Sequence, residues 1–205
     1  MNCPLCKHQG NPFYGVEFFT CSNCFGIFKN RGNYLDEKDE IKRYKTHNND
    51  VNDIHYQNFV SPITNYVLSN FKPNQIGLDF GSGTGPVVSK ILQDEGYNIH
   101  QFDPFFSNKV ELLNETYDYI ICCEVVEHFH KPDVEFGKLK EMLNFNGALI
   151  CMTNLYDEHI NFKGWNYKND PTHVFIYRQE TIKFIADNFR FSNIKVNNRL
   201  IVFEL

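Results

Sequence analysis

From Pro73 onward the chain alternates short apolar runs with segments of helical spacing. Ile76–Phe80 is an apolar run that stops at Gly81, and Pro86–Glu95 then sets Val87, Val88, Ile91 and Leu92 on one face before Gly96 ends it. A strand followed by a helix is predicted. Asn98–Phe102 predicts a second strand ending at Asp103, and Tyr117–Cys123 a third after the short 104–116 connection. Val134–Leu143 reads as a helix closed by Asn144 to Gly147, Ala148–Thr153 as a fourth strand, and Gln179–Asn188 as a helix. Phe191–Val196 and Leu200–Leu205 form a closing pair of strands. This alternation implies a mostly parallel sheet covered by helices on both faces, a doubly wound α/β fold. Two zones precede it: residues 1–30, with paired cysteines and aromatics, and 31–72, polar and then amphipathic, expected as a helical linker or cap. The third unit spans 73–205, and no internal repeat is visible.

Composition narrows the classes of function. A chain of 205 residues holds one full-sized domain and a small appendage. With 42% hydrophobic and 22% charged residues it has enough apolar side chains for a core. The net charge of −5 disfavours a protein that blankets phosphates with Lys and Arg, so a small-molecule partner is favoured over nucleic acid. The opening MNCPLC resembles no secretory leader, and no stretch approaches the ~20 apolar residues of a membrane span. A cytoplasmic protein without membrane contact is expected. In that compartment the seven cysteines are not disulfides, and Cys122, Cys123 and Cys151, in apolar runs, read as small buried hydrophobes.

The other four cysteines carry chemistry. Cys3-Pro4-Leu5-Cys6 and Cys21-Ser22-Asn23-Cys24 are two Cys-x-x-Cys knuckles fourteen residues apart. An intervening hairpin can bring four thiolates around one tetrahedral zinc, making 1–30 a zinc ribbon. Two roles stay open: a structural clip for a segment too small for its own core, or a recognition knuckle using Phe13, Tyr14, Phe18, Phe19 and Phe25.

Leu78-Asp79-Phe80-Gly81-Ser82-Gly83-Thr84-Gly85 joins a predicted strand to a predicted helix. Glycines there allow a tight turn and close approach to a ligand, and the first helical turn offers unpaired N–H groups. Asp103, 22 residues after Gly81 and at the end of the next strand, can accept hydrogen bonds from ribose hydroxyls. A dinucleotide site competes, but the third glycine of Gly-x-Gly-x-x-Gly would fall on Pro86.

Asp79 to Gly85, Asp103 and Tyr117 through His128 resemble successive motifs of the class I S-adenosylmethionine-dependent methyltransferases, and the N-terminal ribbon resembles that of bacterial methyltransferases with the same order of parts. The resemblance covers about 73–205 and implies a Rossmann-like sheet with Asp79, Gly81, Ser82, Gly83 and Gly85 around the methionine moiety, Asp103 on the ribose and Glu124 on the cofactor wall. That family has a further strand and an adenine contact between its second and fourth strands, where only 104–116 is available here, so Phe105 or Phe106 is the candidate stacking face.

Glu124, Glu127 and His128 stand at i, i+3 and i+4, which on a helix is one face, and His173 should reach the same carboxyl edge of the sheet. Two carboxylates and two imidazoles can hold a divalent metal. The spacing is similar to the Glu-x-x-Glu-His and distant His of small-RNA 3′-terminal 2′-O-methyltransferases, and its first half to quinone-biosynthesis O-methyltransferases. Sequence does not separate Mg, Mn, Fe or Zn at such a site, with Mg or Mn the cofactor expected beside S-adenosylmethionine and Zn; the resemblance implies a metal gripping a vicinal diol or catechol, with His128, Glu127 and His173 as the catalytic set. In the competing reading Glu127 caps backbone and His128 is a base without metal, with His130 and Asp133 close enough to confuse the assignment. The aromatic stretch 155–178, with Tyr156, Phe162, Trp165, Tyr167 and Phe175, is the expected substrate lid. Arg43, Tyr44, His47, Asn48, Asn49 and Tyr56 are expected over the cofactor.

The function expected is methyl transfer from S-adenosylmethionine to a hydroxyl of a sugar or other small metabolite. An RNA or other macromolecular methyltransferase guided by the ribbon, a silent binding module, and a nicotinamide oxidoreductase are the rivals.

Overall fold

The computed structural model describes residues 1–46 and 49–205; His47 and Asn48 lie outside the described residues. Strands β1 (Gly10–Tyr14), β2 (Phe18–Cys21) and β3 (Ile27–Lys29) form an antiparallel meander. Helix α1 (Glu37–Tyr44) starts where the Asp36 side chain accepts the Asp39 N–H, and Glu37, Asp39 and Glu40 in its first turn suit the positive end of the helix dipole. Helix α2 (Ile54–Asn70) is capped in the same way by Asp53 and buries Val60, Ile63, Thr64 and Val67.

The α/β part follows as β4 (Ile76–Phe80), α3 (Val87–Asp94), β5 (Asn98–Phe102), β6 (Tyr117–Cys123), α4 (Pro132–Glu141), β7 (Leu143–Met152), β8 (Phe175–Ile176), α5 (Gln179–Phe189), β9 (Asn193–Asn197) and β10 (Leu200–Glu204). The main sheet has the order β5-β4-β6-β7-β10-β9, parallel across its first four strands and antiparallel at β10 and β9. Between β5 and β6 the chain makes a short 3-10 helix, Val110–Asn114, in place of a further strand, so the sheet is shortened where the 104–116 connection is too brief to cross it.

Period-two alternation sorts the strand residues between two cores. Ile120, Leu149, Ile201 and Phe203 face α4 and α5, meeting Phe136, Leu139, Ile182 and Ile185. Ile121, Ile150 and Val202 face the other way, against Val60, Ile63, Val67, Val88 and Leu92 of α2 and α3. Strand β7 begins at Leu143, earlier than the Asn144 to Gly147 turn signals predict. Asn146 adopts a left-handed conformation there and the β6–β7 register shifts, so the turn residues form an irregularity within a strand.

The meander does not stand apart. Strand β3 pairs with β8, matching Ile27 to Ile176 and Phe28 to Phe175, so one four-stranded sheet, β1-β2-β3-β8, joins the N-terminal meander to the connection between β7 and α5. Cys3, Leu5, Cys21, Cys24 and Phe28 share a core with Phe129, Phe136, Phe175 and Tyr177.

Candidate active site

Strand β4 lies between β5 and β6, so the chain leaves it in opposite directions and a crevice opens at its carboxyl end. A cavity of about 760 Å³ occupies this crevice, within the size range of small-molecule sites. One half is built from the glycine turn. Gly81 and Ser82 donate their N–H groups to Phe102 O at 2.8 and 3.1 Å, tying the turn to the end of β5. Gly81 has φ +80°, and a Cβ there would meet Val125 Cγ2 at 2.5 Å, so both backbone and space require glycine. Gly85 is different: a Cβ would strike Asn49 O at 1.8 Å, so its bareness makes room for the protein's own backbone.

Asp103 accepts Gly83 N–H at 2.9 Å through one oxygen, and Phe105 and Phe106 N–H at 2.8 and 3.0 Å through the other. It therefore fixes the glycine turn and the Phe105–Phe106 corner, and carboxylate lone pairs remain for a ligand. Asp79 is buried beneath the turn and accepts Ser89 Oγ–H at 2.7 Å. Burial pushes its carboxyl up to about 6 against the pull of the Ser89 bonds. Asp79, Gly81, Ser82, Gly83, Gly85, Asp103, Phe105, Phe106, Glu124, His128 and His173 all line the cavity.

The other half comes from scattered segments. His128 and His173 face each other with ring centroids 4.9 Å apart. His128 Nδ1–H donates to Thr172 O at 3.0 Å and His173 Nδ1–H to Tyr167 O at 2.7 Å; a carbonyl only accepts, so both tautomers are fixed and each ring keeps its lone pair on Nε2. Burial lowers the basicity of both rings, and His173, repelled also by His128, falls to about 3. Glu127, with 0% exposure, accepts Tyr167 O–H at 2.6 Å and Thr153 O–H at 3.1 Å. Glu127, His128 and His173 bring one ligand atom each within 4.8 Å of one another.

The one-face expectation for Glu124, Glu127 and His128 is corrected. Glu124 takes a left-handed backbone, φ +53°, at the end of β6, and only Val126–His128 form a single 3-10 turn. The Glu124 carboxylate instead accepts Arg199 Nη2–H at 2.6 Å, outside the three-residue cluster. Burial raises both carboxyls, Glu124 and Glu127. His130 stays in the cavity wall but pairs with Glu40 at 2.9 Å, and Asp133 turns to Lys7 at 2.5 Å.

Tyr44, Asn49 and Tyr56 line the cavity as expected of a cap, with Tyr44 stacked on Phe105 and edge-on to His128. Arg43 instead pairs with Asp170 at 2.6 Å, clasping α1 to the segment before His173. Glu40, Thr153 and Arg199 are contributors that the sequence reading missed. Glu40, Arg43 and Tyr44 share i, i+3, i+4 spacing on α1, a signal for the first of them.

The lid expectation for 155–178 is corrected: none of Tyr156, Phe162, Trp165, Tyr167 and Phe175 lines the cavity, Tyr156 and Phe162 pack on the meander, and Tyr167 reaches Glu127 and His173. Phe162 meets Phe13, Tyr14 and Phe18 edge-on at 4.9, 5.5 and 5.3 Å, and Tyr156 meets Phe13 at 5.7 Å. Phe19 stacks on Phe28, which leaves Phe25 as the well-exposed aromatic of the proposed recognition set. The four cysteine sulfurs lie within 4.8 Å of one another, Cys3 to Cys24 at 3.5 Å and Cys6 to Cys21 at 3.3 Å. The Cys24 bond and backbone N–H groups of Cys6 and Leu5 draw the Cys3 thiol down to about 6, the chemistry a cation-binding thiolate needs.

A sheet in this strand order, with a glycine turn after β4 and an acid after β5, defines the class I methyltransferase fold. The chain belongs to the S-adenosylmethionine-dependent methyltransferases of this class: the sequence profile of a methyltransferase-domain family matches residues 53–196. Among curated proteins none matches the sequence. A SAM dependent methyltransferase from Archaeoglobus fulgidus is similar in structure, with 21% identity, TM-score 0.54, and 68% of this chain and 71% of that one covered. Magnesium protoporphyrin IX methyltransferase from Synechocystis PCC 6803, with bound SAH, has 15% identity and TM-score 0.53 over 85% of this chain and 95% of its own. An O-methyltransferase family protein from Burkholderia thailandensis has 11% identity and TM-score 0.51 over 72% of this chain. The chain spans 56% of the length of that protein, and these identities speak for the fold alone.

Proposed function

We propose that the protein transfers the methyl group of S-adenosylmethionine to a hydroxyl of a small metabolite, a sugar or a catechol-like acceptor, with a divalent metal held by Glu127, His128 and His173 and zinc held by Cys3, Cys6, Cys21 and Cys24. The observation that carries the acceptor chemistry is a pair of imidazoles, anchored through Nδ1 on backbone carbonyls, that bring one ring nitrogen each within 4.8 Å of the other and of a buried carboxylate. Such second partners are what fix a histidine as a metal ligand. Two imidazoles and one carboxylate suit Mn, Fe or Zn better than Mg, which prefers an all-oxygen shell. When bound, the metal would supply a Lewis acid that lowers the pKa of the acceptor hydroxyl.

The chain's own residues do the rest. The turn Gly81–Gly85 and Asp103 hold the methionine and ribose ends of the donor, and Phe105 with Phe106 flanks adenine, a reading supported by the SAH bound to the Synechocystis neighbour. Tyr44 closes the acceptor side against His128. The predominantly apolar cavity and the net charge of −5 favour a small acceptor over nucleic acid. A second reading, His128 as a base without metal, is favoured by its place in the cavity wall, which Glu127 does not share.

The test begins with melting shifts produced by S-adenosylmethionine and SAH; the absence of both overturns the donor assignment. Methyl transfer to a panel of catechols and vicinal diols then follows chelation and addition of Mn²⁺ or Mg²⁺. Loss on chelation, recovery with Mn²⁺, and loss of Mn²⁺ binding in His173→Ala are expected. Full activity after chelation together with an inactive His128→Ala would move the assignment to the metal-free base.

A further inference from the structure

The segment that carries His173 is held largely by the meander. Lys29 N–H donates to Val174 O at 2.9 Å, Lys29 Nζ donates to Pro171 O at 3.0 Å, and β3 pairs with β8 just beyond. On the other side Val174 N–H donates to Glu127 O at 2.9 Å, so one short stretch links β3 to both Glu127 and His173. The Phe175 ring lies against Gly26, where a Cβ would come within 2.3 Å of it. Gly26 lies two residues past Cys24, and its carbonyl accepts Cys21 N–H at 2.9 Å. Four thiolates around one cation would therefore fix the loop on which Phe175 rests.

Lys29 itself is not explained by packing. Its side chain is 4% exposed, and an apolar residue of the same length would fill that space without the cost of burying an ammonium. What the ammonium adds is a donor for the carbonyl of Pro171, two residues before His173. The aromatic contacts of Phe162 and Tyr156 with β1 and β2 extend this packing: the meander surface is covered by the connection that also carries Tyr167 and His173.

We propose that the four-cysteine meander is a strut whose metal keeps the Pro171–Ile176 segment in register, with Lys29 the positioning residue at the point of contact. The inference rests on the reading of His173 as part of the active centre, and its test separates the two. Hydrogen exchange is followed at residues 172–176 and 81–85, in the wild type before and after removal of the cysteine-bound zinc, and in Lys29→Met, which keeps the stem and loses the donor. Exchange at 172–176 should rise tenfold or more in both cases while the 81–85 turn stays unchanged. Lys29→Met should keep one zinc per chain, bind SAH within twofold of the wild type, and lose kcat tenfold or more at unchanged KM for S-adenosylmethionine. Lys29→Arg should recover part of the loss. Unchanged exchange at 172–176 after zinc removal and in Lys29→Met overturns the strut, even where His173→Ala is inactive. Raised exchange alongside a fully active His173→Ala upholds the strut and overturns the active-centre reading instead.

Discussion

The two halves of the cavity are built by opposite strategies. The half proposed for the donor is nearly contiguous: one turn from Asp79 to Gly85 and one acid at Asp103, bound to each other through Gly83 N–H. The half proposed for the acceptor collects Tyr44 from α1, Glu127 and His128 after β6, Thr153 after β7, and Tyr167 and His173 from a long connection bonded to β3. Local backbone geometry secures the first, and long-range side-chain networks secure the second. On the proposed assignment a local half should keep its ligand when distant parts are altered, and a networked half should lose its chemistry when any one of its contacts is removed.

The sharpest way to break this contrast is His128→Ala or His173→Ala. Either should lower kcat by about 10³-fold, the scale of losing a group that assists proton removal, while calorimetry finds SAH affinity within twofold. An equal loss of SAH affinity would erase the division between halves. Asp103→Ala should do the reverse: SAH affinity falls by about 100-fold, as expected when charge-assisted bonds are lost, and kcat at saturating donor falls less.

The next effect concerns pH. The Asp79 carboxyl sits at about 6 in the fold, above its ordinary value of 3.8, because burial favours the neutral form. Its proton-linked stability is thus fully present below pH 3.8 and lost as pH rises through about 6. Asp79→Asn should flatten that slope, gaining on the order of 2 kcal/mol over the ligand-free wild type at pH 7 and little at pH 4, read by denaturant melts at both pH values. A parallel slope in wild type and variant would remove Asp79 as its origin. The smallest effect is Tyr167→Phe, which leaves Glu127 one donor short: stability falls by about 1–3 kcal/mol and kcat about tenfold, with SAH affinity unmoved in the same titration.

The same contrast explains what was legible in the sequence. Strands β4, β5 and β6 and helix α3 follow hydrophobic periodicity closely, and the donor half sits at their ends, so Asp79 through Gly85 and Asp103 were readable from spacing. His128 and His173 were readable as a pair only through residue type and sheet-edge position. Glu124 was misread because i, i+3, i+4 spacing presumes a helix, whereas a left-handed residue ends β6 and turns the side chain to Arg199. The early start of β7 was hidden by Asn144, Asn146 and Gly147, turn-forming residues that here make a bulge. The pairing of β3 with β8 joins residues about 150 positions apart, and a two-residue strand carries too little periodicity to announce it.

The backbone of Glu124 sets stability against the cavity wall. A left-handed conformation costs a residue with a Cβ about 1 kcal/mol that glycine avoids and asparagine reduces. Glycine at 124 would relax that bend and, in the same exchange, strip the cavity wall of the carboxylate that holds Arg199.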